Sequence, residues 1–313
     1  MRQIVLAIAD QKPVRELLTV GPGRPLAERF VAGETLEAAL EVTRDLLASG
    51  FLVSLNYLGE AVASLEEAQE AAGVYADILS ALAAAKLSVH LSLKPTQLGL
   101  GLDPDRCFAL ASEILATAER QQVFVRLDME QSSHVDATLA LWRRLRANHE
   151  NVGVVLQTLL RRTERDLLTL TTQGAPIRLV KGAYAEPDSV AFPDKRDVDT
   201  NYKRLTVPLL RSSRAFGRRA AWLPPIAALA THDDRLIDHT LRVATGLGLT
   251  PDLYEFQMLY GVRRQRQRDL LAAGHAVRLY VPWGPNWYRY LTRRLAERPA
   301  NLLFLARHLL PEG

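Results

Sequence analysis

From Phe51 to Val281 the chain repeats one unit: a short run rich in Val, Ile and Leu, followed by a longer stretch with helical spacing. The runs fall at Phe51–Leu58, Leu87–Lys94, Gln122–Met129, Val152–Thr158, Ile177–Lys181, Ala227–His232, Tyr254–Tyr260 and Val277–Val281. Between them the spacing predicts helices over Leu65–Ala85, Pro104–Arg120, Val135–His149, Thr163–Gln173, Thr200–Gly217, Asp234–Gly246 and Val262–Ala273. Nearly continuous apolar strands are those of a parallel sheet buried on both faces. Eight of them alternating with helices predict an α/β fold, a closed (β/α)8 barrel. A doubly wound open sheet is the alternative. It wants a glycine-rich phosphate loop after the first strand, and Asn56-Tyr-Leu-Gly-Glu60 is not one.

The first fifty residues read differently. Pro13–Val20 and Arg24–Val31 are short amphipathic pieces, and Thr35–Ser49 is a helix stopped by Gly50. We therefore divide the chain into an N-terminal helical segment, 1–50, and a barrel domain, 51–313. Gly21-Pro-Gly23 lacks the preceding strand and third glycine of a dinucleotide fingerprint. The single cysteine, Cys107, follows an Asp103-Pro104 helix start and reads as core, which excludes a disulfide framework and fits a reducing compartment. No apolar run approaches the roughly 18–20 residues of a membrane span. A cytoplasmic protein, at most peripheral at the cytoplasmic membrane, is the expectation. The net charge of +4 is modest for 313 residues. Its densest part, Arg263–Arg268, reads as a solvated helix face rather than a nucleic-acid site.

In such a barrel the chemistry sits at the strand C-termini. Read in order, those ends carry Lys94, then Asp128 and Met129, then Gln157, then Arg178 with Lys181-Gly-Ala-Tyr184, then Thr231-His232, then Glu255 and Gln257, then Tyr280. Charges inside apolar runs are costly unless paired, so Arg178 and Asp128 need partners or ligands. After Tyr280 comes a helix on which Tyr290, Arg293, Arg294 and Glu297 share one face. Two guanidinium groups there suit a carboxylate. The cations Lys94, Arg178, Lys181, Arg293 and Arg294 outnumber Asp128 and Glu297, so the expected ligand is an anion. A two-metal site would want paired histidines and several carboxylates, and no metal is expected. Lys181 would suit Schiff-base chemistry on spacing alone.

The strings Leu179-Val-Lys-Gly-Ala-Tyr184, Ala230-Thr-His232, Glu255-Phe-Gln-Met-Leu-Tyr-Gly261 and Tyr290-Leu-Thr-Arg-Arg-Leu-Ala-Glu297, with Asn301 beyond, resemble the proline dehydrogenase family. The resemblance runs from about Val53 to Asn301 and is to the bacterial single-function form. It implies a distorted TIM barrel with FAD at the strand C-termini. L-proline would be oxidised to Δ1-pyrroline-5-carboxylate, with hydride passing from C5 to flavin N5. Electrons would go on to a membrane quinone, and the product to a separate pyrroline-5-carboxylate dehydrogenase. By resemblance Lys94, Arg293 and Arg294 bind the proline carboxylate, and Leu259, Tyr280 and Tyr290 close over its ring. Arg178 lies near flavin N5, and Asp128 and Tyr184 match active-site positions. Met129, Gln157, Val180, Lys181, Gly182, Ala183, Thr231, His232 and Glu297 match FAD contacts, with Glu297 pairing Lys181. Ala185 stands where the family often has Trp. Another flavin barrel, similar to methylenetetrahydrofolate reductase, is the competing enzyme reading, and a basic nucleic-acid module the competing reading from another class.

Overall fold

The computed structural model describes residues 29–59 and 61–296, without the side chains of Arg289 and of residues 293–296. Eight parallel strands close into a barrel in sequence order: β1 (Leu52–Tyr57), β2 (His90–Leu93), β3 (Phe124–Leu127), β4 (Val152–Gln157), β5 (Ile177–Val180), β6 (Ala227–Ala230), β7 (Tyr254–Leu259) and β8 (Val277–Trp283). The ring closes where β1 pairs with β8, Leu52 opposite Arg278 through Tyr57 opposite Trp283. An open doubly wound sheet is thereby excluded.

Helix α1 (Leu36–Ala48) precedes the barrel, and α2 (Leu65–Ala85), α3 (Pro104–Arg120), α4 (Val135–Arg146), α5 (Thr163–Thr172), α6 (Lys195–Phe216), α7 (Asp234–Gly246) and α8 (Arg264–Ala272) connect its strands. Helix α9 (Trp287–Ala296) follows β8. Local chemistry starts several of them. Ser64 caps α2, accepting from Glu67 N at 3.2 Å, and Glu67 Oε2 accepts from Ala63 N at 2.8 Å. Asp103 accepts from Asp105 N and Arg106 N ahead of Pro104, which opens α3.

Three elements depart from the spacing. Helix α6 begins at Lys195, five residues before the expected Thr200. Its first turns are charged and carry no apolar period; a Lys195–Asp199 pair at 2.6 Å holds them. Strand β8 runs past Val281 through Pro282 to Trp283. Pro282 is tolerated there because β7 pairs with β8 only as far as Tyr280, so no ladder donor is lost on that side. Its carbonyl accepts from Ala32 N at 2.9 Å. Arg29 and Phe30 form a turn, not the end of a helix. The rest of the two expected N-terminal helical pieces, before residue 29, lies outside the described residues.

The two faces of the strands differ. Val53, Leu55, Leu91, Val125, Leu127, Val154, Leu156, Leu179, Leu229, Phe256 and Leu279 are buried with the helices in one apolar core. The alternate residues meet inside the barrel, where side-chain bonds join β5 to β2, to β7 and to Asp128 just past β3. Gly153 belongs to that inner set. A Cβ there would lie 2.7 Å from the Phe124 ring and 2.9 Å from Arg126 Nη1, so its absence makes room for both.

Candidate active site

A cavity of about 740 Å³ opens at the C-terminal ends of the strands. Its floor is built on Arg178 of β5, whose guanidinium is fixed on three sides. Nη1 donates to Asp128 Oδ1 at 2.9 Å, Nη2 to Ser92 Oγ at 3.0 Å, and Nε to Gln257 Oε1. The other oxygen of Asp128 accepts from the Tyr280 hydroxyl at 2.7 Å. The Arg178 guanidinium also lies 5.3 Å from the centre of the Tyr280 ring. Burial, then the charge of Asp128, pushes the Tyr280 phenol well above its ordinary value of 10.0, so it stays a donor.

The network continues down the barrel. Gln257 Nε2 donates to Glu255, and Glu255 is gripped by Arg278 at 3.0–3.2 Å. Arg278 Nη1 reaches Val53 O at 3.1 Å. Burial alone would raise Glu255, but the charge of Arg278, with its hydrogen bonds and that of Gln257, holds it below 4.5. His90 is pushed well below 6.5 by burial and by Arg278, Arg126 and Arg178, and is neutral. The pairing that Asp128 and Arg178 needed is thus mutual, and it rests on a second ion pair beneath.

One wall is polar and tied together. Lys181 Nζ bridges Asp199 at 2.5 Å and Asp233 at 2.8 Å. Burial raises both carboxyls, yet the bonds and charges of Lys181 and Lys195 hold them below 3.8. Asp233 also caps α7, accepting from Arg235 N at 3.1 Å. His232 Nε2 accepts from Leu259 N at 3.2 Å, which leaves its ring proton on Nδ1. Gln157 Nε2 donates to Glu130 O at 2.7 Å, and the Glu130 carboxylate takes both donors of Thr96.

Gly182 has φ +104°, and a Cβ would lie 1.9 Å from Leu159 Cδ2, so the turn after β5 requires glycine. The residues predicted from strand ends or by resemblance, Lys94, Asp128, Met129, Gln157, Arg178, Val180, Lys181, Gly182, Ala183, Tyr184, Thr231, His232, Leu259 and Tyr280, line this one cavity together with Tyr290 of α9. Arg293 and Arg294 belong to α9, but their side chains lie outside the described residues. Glu297 and Asn301 lie outside them altogether. Lys181 pairs with Asp199 and Asp233, partners that strand-end reading missed because one comes from α6 and the other from a helix cap. Also missed were Asn56, Ser92 and Glu130. Alternation along each strand could have found the first two, since Asn56 and Ser54 share a face with the register partners Ser92 and His90.

Among the described residues no group of three or more His, Cys, Asp and Glu could hold a metal. Nor, among them, is any helix long and apolar enough to cross a membrane. The arginine run after β7 is partly neutralised: Arg263 pairs with Asp234 at 2.6 Å, and Arg266 reaches Asp234 and Asp238 at 3.1 Å.

This geometry can be set against known proteins. A family model described as proline dehydrogenase matches residues 39–307. The chain is 40% identical over 281 residues to proline dehydrogenase 2 of Bacillus subtilis (strain 168), covering 90% of this chain and 89% of that one. It is 38% identical over 314 residues to proline dehydrogenase of Deinococcus radiodurans, covering 99% and 97%. A crystal structure of proline utilization A from Bdellovibrio bacteriovorus, inactivated by N-propargylglycine, superposes with a TM-score of 0.81 at 25% identity. That match covers 98% of this chain but 37% of the larger protein. With a family match over most of its length and relatives of nearly equal extent, the chain belongs to the proline dehydrogenase family.

Proposed function

We propose that this chain oxidises L-proline to Δ1-pyrroline-5-carboxylate with FAD at the strand C-termini. Family membership supports the substrate. The observation that carries the chemistry is the Arg178 guanidinium, immobilised by Asp128, Ser92 and Gln257 in the cavity floor. The residues present fit a flavin. The cavity volume lies within the roughly 300–1,000 Å³ of ligand pockets, and its lining combines apolar Met129, Val155 and Val180 with the fixed guanidinium of Arg178. Met129, Gln157, Val180, Lys181, Gly182, Ala183, Thr231 and His232 would hold the cofactor, together with Glu297. A bound flavin supplies the acceptor for a hydride from proline C5. Arg178 contributes a positive charge that favours a reduced, anionic ring.

The protein's own groups do the rest. Lys94, with Arg293 and Arg294, fixes the carboxylate, and this sets the approach of C5. Leu259, Tyr280 and Tyr290 enclose the ring and exclude water, with Tyr184 at a further active-site position. Asp128 spends one oxygen on Arg178 and the other on Tyr280, so one carboxylate positions both the cation and the aromatic wall. Electrons leave to a membrane quinone at a peripheral contact with the cytoplasmic membrane, and the product passes to a separate pyrroline-5-carboxylate dehydrogenase. The 51–313 barrel is the catalytic unit in this reading.

Anaerobic titration tests it. Purified protein should carry or take up FAD, L-proline should bleach the flavin absorbance, and NADH should not. Protein that takes up no added FAD, or is bleached by NADH alone, would sink the proposal. Replacing Arg294 with Ala should raise the KM for proline roughly 10- to 100-fold in flavin-loaded protein.

A further inference from the structure

Asn56 stands at the end of β1, between Ser92 of β2 and Pro282 of β8 in the barrel register. It lines the cavity, and the residue is 1% exposed. Among the described residues its Oδ1 has no hydrogen-bond partner. A buried carbonyl oxygen without a donor is unfavourable, and native proteins keep few of them. Just below, Ser54 of the same strand meets Ser92 at 3.3 Å, and Ser92 holds Arg178. The carboxamide therefore sits directly above the anchored floor.

The carboxylates of the cavity wall are engaged. Both oxygens of Asp128 take hydrogen bonds, from Arg178 and Tyr280, and both oxygens of Glu130 take them from Thr96. Gln257 Oε1 receives Arg178 Nε. Asp233 and Asp234 are paired with Lys181 and Arg263. On the side of the mouth made by β8, β1 and β2, where Tyr280 and Lys94 stand, Asn56 offers an unengaged neutral carbonyl.

We propose that Asn56 Oδ1 receives the N–H of the substrate's ring nitrogen and stabilises the positive charge that grows there. This rests on the proline oxidation proposed above. In that reaction the C5–H bond breaks and the hydride, with its electron pair, leaves to the flavin. The nitrogen lone pair forms the C5=N bond, the N–H is kept, and the nitrogen becomes positive. A carbonyl dipole already aimed at the N–H gains most as that charge develops, which is differential binding of the transition state. A neutral acceptor has a further merit. A carboxylate in its place would favour the ammonium form, whose lone pair is tied up by a proton.

The experiment compares Asn56→Val with Asn56→Thr, side chains of nearly one shape that differ by a hydroxyl. Each is measured as flavin-loaded protein against L-proline and against cyclopentanecarboxylate, in which CH2 replaces the ring N–H. Asn56→Val should lower kcat/KM for proline about 10-fold, and Asn56→Thr should recover part of that loss. The Kd of cyclopentanecarboxylate, read by titration calorimetry, should stay within about 2-fold of wild type in both. Equal losses in Val and Thr, a parallel loss of cyclopentanecarboxylate affinity, or an unchanged kcat/KM would each overturn the assignment while leaving proline oxidation standing. Wild-type protein that neither oxidises proline nor binds cyclopentanecarboxylate would bring down both.

Discussion

Asp128 is the residue on which the geometry turns, because its two oxygens hold Arg178 and Tyr280 at once. Deleting one partner tests this sharply. Tyr280→Phe keeps the ring but takes the donor from a charged acceptor, a bond of about 1.5–3 kcal/mol. We expect kcat/KM for proline to fall at least 10-fold and Tm to drop by about 2–5 °C, as steady-state kinetics and a thermal melt will read. Because the phenol is held well above 10.0, Tyr280 stays protonated across the assay range. The alkaline limb of the pH–rate profile should therefore be the same in Tyr280→Phe as in wild type. A limb that vanishes in the variant would contradict the assignment. Arg178→Met should lower the flavin midpoint potential, measured by spectroelectrochemistry, since it removes the cation that favours the reduced ring.

At the scale of elements, the helix starts that frame the mouth also supply chemistry. Asp233 caps α7 and takes Lys181 as well. Asp233→Ala should cost more than the usual 1 kcal/mol or so of a lost cap, because Lys181 loses one of two carboxylates. Urea unfolding of the two proteins measures this. Cys107 lies on the buried side of α3, and burial pushes its thiol up to about 12. Folded protein should accordingly resist a thiol-specific reagent at pH 8, and unfolded protein should react at one site. Rapid labelling of folded protein would mean that α3 opens. The start of α3 was readable in the sequence because Asp103-Pro104 places an acceptor before a helical period. The start of α6 was not, because a charged turn held by Lys195 and Asp199 has no period to read.

The whole molecule carries an ion pair inside its barrel. Glu255 is fully buried and Arg278 nearly so, and Arg278 is bound by both carboxylate oxygens. Removing one charge from such a pair strands the other. Glu255→Gln should therefore lose about 3–5 kcal/mol of unfolding free energy. The pH dependence follows from the sign of the shift. Arg278 outweighs burial and holds Glu255 below 4.5 in the folded state, so the folded protein binds this proton less readily than the unfolded chain. The stabilisation is present above pH 4.5 and is lost as pH falls through the folded value. Below pH 4.5 the unfolding free energy of wild type should drop more steeply than that of Glu255→Gln, by up to about 1.4 kcal/mol per pH unit. Parallel curves would mean that Glu255 does not titrate with unfolding.

The sequence by itself determined the eight strands, their alternation with helices, and the set of ionisable residues at one end of the ring. It could do so because burial on two faces makes each strand an apolar interval, and an unpaired charge within such an interval demands a reason. It did not determine who meets whom inside the barrel. Arg178 with Ser92, Gln257 and Asp128, or Lys181 with Asp199 and Asp233, are contacts between residues 18 to 86 positions apart. Only closure of the ring brings them within hydrogen-bond reach. Among the described residues the same closure leaves Asn56 Oδ1 without a donor at the mouth, because Ser92 beside it bonds to Ser54 and Arg178 instead.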